Sequence, residues 1–154
     1  MKKVILTLFL FFMGISVCQA EGPVPPDGFS FITLKDSGKK RIYYHYWTDY
    51  VNPENKNDAI YRYYSMPFFD GSDDTLLFLS VFDLFACGVN NCPYRVVLRK
   101  SDGDEKTVLE GIGPDAPEFM FSVKKNGQKP VTINVGKFIF SYDEKAGKYV
   151  ESKK

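Results

Sequence analysis

Apolar and polar positions along this chain alternate in short runs. Clusters of Gly, Pro, Asn and Asp separate the runs, and no long stretch keeps a 3.6-residue period. The strongest signal lies over residues 75–99. From Leu76 to Phe82 both alternation classes are apolar, which predicts a central strand covered on both faces. A loop from Cys87 to Cys92 follows, and Pro93 to Arg99 reads as the strand that pairs back. Residues 75–99 are therefore expected to form the central hairpin of the fold.

The remaining pattern is a string of shorter elements. Residues 29–34 alternate as a strand and stop at a turn over 35–38. Residues 41–47 predict a strand with Ile42, Tyr44 and Tyr46 on one face and Tyr43, His45 and Trp47 on the other. Residues 49–58 are polar and read as a surface loop. Asp58 is placed to cap a short helix over 59–66, but the aromatics there suit a strand equally, and the strand is preferred. An acidic turn spans 67–74. Gly103 marks a hairpin turn between 93–99 and 106–110, and residues 111–117 break the pattern. Asn126-Gly127 is a hairpin signal between 118–124 and 130–135, and the turn at 143–147 separates 137–142 from 148–151.

The sum is a mainly β chain, or α+β if 59–66 is helical. It predicts a single small antiparallel domain of about nine short strands, arranged as a meander, sandwich or partly open barrel.

The N-terminus adds a compartment. Basic Lys2 and Lys3, an apolar core from Val4 to Met13 and the end Cys18-Gln19-Ala20 form the three parts of a secretory signal. A membrane-spanning helix needs about 20 apolar residues, and Gly14, Ser16 and Gln19 cut this run short. The expected organisation is a signal peptide over 1–20, removed near Ala20, a Pro/Gly-rich lead-in over 21–28, one β-rich domain over 29–151 and a tail over 152–154. Lipidation at Cys18 is the alternative, but Val17 stands where a lipoprotein motif has a smaller residue. The expected location is the bacterial periplasm or beyond.

Charge excludes one class. Removing Lys2 and Lys3 from the 20 basic residues, against 19 acidic ones, leaves a formal charge of −1 and no electrostatic footprint for nucleic acid. Aromatic residues are plentiful: all ten tyrosines and the single tryptophan lie beyond the leader.

Several constellations bear on chemistry. In an oxidising space Cys87 and Cys92 read first as a disulfide, with Gly88, Asn90 and Asn91 allowing the tight backbone. A redox-active dithiol wants a shorter spacing at a helix N-terminus, and zinc wants further ligands where His45 is the only histidine. Asp70, Asp73 and Asp74 around Gly71 invite a calcium reading, yet lack the loop grammar of acids at alternate positions, and a solvated acidic turn accounts for them. No cofactor is expected. Asp83 interrupts an apolar strand face, so it either sits at the strand's rim or is buried with Arg95 or Arg99 as partner. His45 lies beside no recognisable nucleophile motif and reads as a partly buried structural histidine.

The aromatic group Tyr43, Tyr44, Tyr46, Trp47 and Tyr50 is the candidate recognition face, because such rings bury large rigid area and carry a polar tip. An aromatic core is the competing account. Asn90 and Asn91, at the tip of the disulfide loop, are the second candidate contact.

Residues 81–98, a strand, a Cys-Gly to Cys-Pro loop and a returning strand, resemble a local pattern of small exported bacterial proteins of unassigned function. The resemblance covers residues 70–99, implies the hairpin and carries over no catalytic residue. Together these readings predict a non-enzymatic binding protein of the envelope, such as an inhibitor or immunity protein acting on another envelope or secreted protein. A small-ligand or carbohydrate module using Trp47 and its tyrosines is the alternative, and a hydrolase with two carboxylates is the third reading.

Overall fold

The computed structural model describes residues 23–38 and 43–152. The predicted signal peptide and its Cys18 alternative lie outside these residues, as do Arg41 and Ile42. In chain order the strands are β1 (Ser30–Ile32), β2 (Lys35–Asp36), β3 (Ile60–Pro67), β4 (Thr75–Phe82), β5 (Asn91–Arg99), β6 (Glu105–Pro114), β7 (Phe121–Asn126), β8 (Lys129–Val135), β9 (Phe138–Asp143) and β10 (Lys148–Glu151). They form two five-stranded sheets, sheet I in the order β1-β7-β8-β9-β10 and sheet II in the order β2-β3-β4-β5-β6. Neighbouring strands are antiparallel throughout. The sheets do not close into a barrel.

The topology is two meanders laced by the N-terminal segment, which gives β1 to sheet I and then β2 to sheet II. The hairpin turns follow the glycines: Gly103, Gly127, Gly136 and Gly147 all have positive φ, which residues with a Cβ rarely adopt. The preferred strand over 59–66 is β3, paired with β4 from Ile60↔Phe82 to Pro67↔Thr75.

β4 sits in the middle of sheet II, and its alternation serves two cores. Leu76 and Phe78 face sheet I, where Phe78 and Tyr94 each meet the Phe121 ring edge-on at 5.2 Å. Edge-to-face pairs of this kind contribute about 0.5–1.5 kcal/mol beyond area burial. Leu77, Leu79 and Val81 face the other way, into a second core with Val97, Tyr61, Trp47 and Val51. Ser80, the one polar side chain inside the strand, donates to the Pro93 carbonyl at 3.2 Å, so its burial leaves no orphaned hydroxyl. β4 is thus covered on both faces, as its pattern predicts.

The second core corrects the strand expected over 41–47. Tyr43 and Tyr44 are helical, and turns continue the chain: the Tyr46 and Trp47 amides donate to the Tyr43 and Tyr44 carbonyls at 3.1 and 2.8 Å. A strand would have sent Tyr46 and Trp47 to opposite faces. The turn buries both against sheet II, and this packing overrides the local β-propensity.

Two smaller corrections have local causes. Lys35 and Asp36, expected in a turn, pair with Tyr63 and Arg62 as β2. β6 runs on through Gly111 and Gly113 where a break was expected. The Tyr94 ring lies across these glycines, and a Cβ at Gly111 would stand 2.7 Å from the Tyr94 hydroxyl. The glycines make room for a ring while the strand continues.

Candidate functional site

The loop between β4 and β5 is built by Asp83. β4 ends at Phe82, and the Asp83 carboxylate then accepts the Phe85 and Ala86 amides at 2.8 and 3.2 Å while its carbonyl accepts the Cys87 amide at 2.8 Å. This is the Asx-turn role that aspartate favours, and it turns the chain out of the sheet. Asp83 is therefore both at the strand's end and buried, with its Oδ1 held by backbone amides; Arg95 and Arg99 pair elsewhere.

The Cys87–Cys92 disulfide closes the loop, with Cys92 fully buried in the inter-sheet core. Asn90 takes a left-handed φ of 61°, which asparagine tolerates, and its carbonyl accepts the Asp115 amide at 3.0 Å. The Asn91 side chain donates to the Val89 carbonyl at 3.3 Å. The backbone of the loop is thereby tied at Asp83, at the disulfide and to the chain end of β6.

Held on this frame, Leu84 and Phe85 are each 83% exposed and Val89 is 89% exposed. Ile112, 67% exposed, belongs to the same end of sheet II, since it pairs with Pro93. Residues 84–94 contain no charged side chain. Single exposed apolar residues are ordinary, but a group of them on a fixed, uncharged loop is the composition of a contact surface.

The aromatic group is placed differently. Trp47 is 0% exposed and Tyr46 is buried; Tyr43 and Tyr44 are half-buried, and Tyr50 alone is open, at 38%. Trp47 therefore offers no surface to a ligand, and the Trp47-centred binding face is corrected to a structural anchor. Its Nε1 finds no hydrogen-bond partner among the described residues.

Arg95 lies over this group, 5.4 Å from the Trp47 ring centre and 5.3 Å from that of Tyr50. It donates to the Tyr46 carbonyl, to Asp49 at 2.6 Å and to Glu110 at 3.1 Å. Burial works against its charge, but the two carboxylates outweigh that and hold the guanidinium above its ordinary range. Arg95 is thus a clamp fastening residues 43–58 to sheet II. A second tie is the Tyr46 hydroxyl, which donates to Glu105; burial first and that hydrogen bond second push the phenol up to about 12.

The other candidates find ordinary partners. His45, expected to be partly buried, is exposed and lies against the Tyr46 ring. Asp70 pairs with Lys125 at 3.3 Å and Asp74 accepts the Ser101 amide at 3.0 Å. Among the described residues no three His, Cys, Asp or Glu side chains converge as metal ligands, so Asp70, Asp73 and Asp74 do not assemble a calcium cage.

Asn90 and Asn91 do lie at the tip, as expected. Val89 falls within the disulfide loop that the sequence offers as a contact, whereas Leu84 and Phe85 read as more strand because the apolar run resumes after Asp83 and continues to Ala86, and Ile112 falls in a segment that reads as a break. The signal was Asp83 within that run: an Asx turn there ends the strand and turns Leu84 and Phe85 out to solvent.

Comparison with protein-family models, with curated proteins and with solved structures finds no match for this chain. The disulfide is compatible with a periplasmic or extracellular setting. Among the described residues no helix is long and apolar enough to cross a membrane.

Proposed function

We propose that this chain is an exported, non-enzymatic binding protein of the bacterial envelope, an inhibitor or immunity protein whose disulfide-closed tip contacts a partner protein. The observation that carries the reading is the exposure of Leu84, Phe85 and Val89, all above 80%, on a loop tied by Asp83 and the Cys87–Cys92 bond. Pre-ordering matters because a contact loop that is already fixed loses less conformational freedom on binding. The carbohydrate reading keeps only Tyr43, Tyr44 and Tyr50, since Trp47 is enclosed.

The test is affinity capture from periplasmic extract, with the protein immobilised and retained proteins identified by mass spectrometry. The native chain should retain a stoichiometric partner, and the triple variant Leu84→Ser, Phe85→Ser, Val89→Ser should release it while keeping the same unfolding curve. A partner held equally by both chains, or no partner at all, refutes the proposal.

A further inference from the structure

The tip borders a groove that bears on the chemistry of the partner. The turn at residues 55–58, part of the segment laid over sheet II, meets the 84–85 turn across a shallow groove of about 200 Å³. Ile60, Phe82 and Phe85 supply an apolar lining, and Asp58 and Asp83 supply two carboxylates. Among the described residues no lysine or arginine lines it. Arg62, stacked over the Phe82 ring, is already held by Asp36 at 3.3 Å and Asp115 at 2.7 Å. Among the described residues neither Asp58 nor Asp83 forms an ion pair. Both backbone amides that reach the Asp83 carboxylate reach the same oxygen, Oδ1, so among the described residues Oδ2 has no donor.

We propose that this groove receives a basic-apolar element of the partner protein, with an apolar side chain on Ile60, Phe82 and Phe85 and a neighbouring lysine or arginine against Asp58 and Asp83 Oδ2. The inference rests on the tip being the partner-binding surface and adds the partner's chemistry. Its ground is complementarity. An apolar lining favours burial of an apolar side chain, and two carboxylates that no described cation pairs with favour a cationic neighbour and disfavour an anionic one. The same carboxylates work against docking on an anionic lipid surface, where basic residues supply the attraction.

The test uses the protein purified after export and two acetylated pentapeptides with glycine ends, one with leucine, lysine and phenylalanine between them and one with glutamate in place of lysine. Amide NMR shifts should move at Asp58, Ile60, Leu84 and Phe85. The lysine peptide should bind about threefold or more tighter than the glutamate peptide, the range a partly exposed ion pair supplies. Asp58→Asn, a change at an exposed position, should shrink that preference. Equal binding of the two peptides, shifts confined elsewhere, or an unchanged preference in Asp58→Asn overturns the inference. So does co-sedimentation with phosphatidylglycerol vesicles that the tip triple variant abolishes. If a captured partner is lost in the triple variant but ignores both Asp58→Asn and salt raised to about 0.5 M, the basic-partner inference fails while the tip reading stands. If capture survives the triple variant, the tip reading itself fails.

Discussion

Replacing Trp47 with alanine separates a structural role from a binding one. The ring is fully enclosed among Leu77, Leu79, Val81 and Val97 on one side, with the Arg95 guanidinium over it at 5.4 Å. Truncating a buried tryptophan costs about 3–5 kcal/mol in lost burial and cavity. Against a total stability of about 5–15 kcal/mol that is a large fraction. Trp47→Phe should cost less, about 1–2 kcal/mol, because it loses part of the ring but also removes a buried Nε1–H that has no partner among the described residues. Tyr50→Ala, at a ring open to solvent, should stay within about 1 kcal/mol. The assay is urea unfolding followed by far-ultraviolet circular dichroism, since the alanine and phenylalanine variants lose the fluorophore. With a slope of about 1–3 kcal/mol per molar urea, Trp47→Ala should lower the midpoint by about 2 M. A loss below about 1 kcal/mol for Trp47→Ala, or a larger loss for Tyr50→Ala, refutes the anchor assignment.

Three further perturbations probe the frame around the tip. Asp83→Ala strands the Phe85 and Ala86 amides and should cost about 1–2 kcal/mol, with faster hydrogen exchange at those two amides, whereas Asp83→Asn keeps the acceptor and should restore most of the protection. Tyr46 ionises near 12 in the folded chain, above the ordinary phenol value of about 10. Its contribution is therefore complete below pH 10 and is lost as pH rises from about 10 toward 12; because burial also pushes Tyr61 up to about 12, an ultraviolet pH titration of Tyr46→Phe should show the late-ionising amplitude reduced by one phenol, and the variant's stability should fall less over the same window. Gly111→Ala places a methyl 2.7 Å from the Tyr94 hydroxyl and should destabilise by about 1–3 kcal/mol, an effect that the Tyr94→Leu background should reduce.

The sheet architecture was legible because its signals are local. The doubly apolar β4, the Asn126-Gly127 turn and the paired cysteines each state their structure within a few residues. What was not legible depends on contacts between distant parts of the chain. Residues 43–47 have high β-propensity, yet Arg95 and the outer face of sheet II hold them as a turn. Gly111 and Gly113 look like breakers until Tyr94 is seen lying across them. The site was legible in outline only. The disulfide loop was marked as a contact, but Leu84 and Phe85 just before it read as strand, and the aromatic group that looked like a recognition face is largely the second core. Sequence shows which rings are present; enclosure decides which of them remain available.

The most direct test of the tip reading is photocrosslinking in living cells. With benzoylphenylalanine in place of Phe85, illumination should yield one adduct of discrete mass to a partner protein. The same group in place of Tyr50, on the exposed edge of the aromatic segment, should yield none. An adduct from position 50 alone, or none from position 85, would contradict the assignment of binding to the disulfide-closed tip.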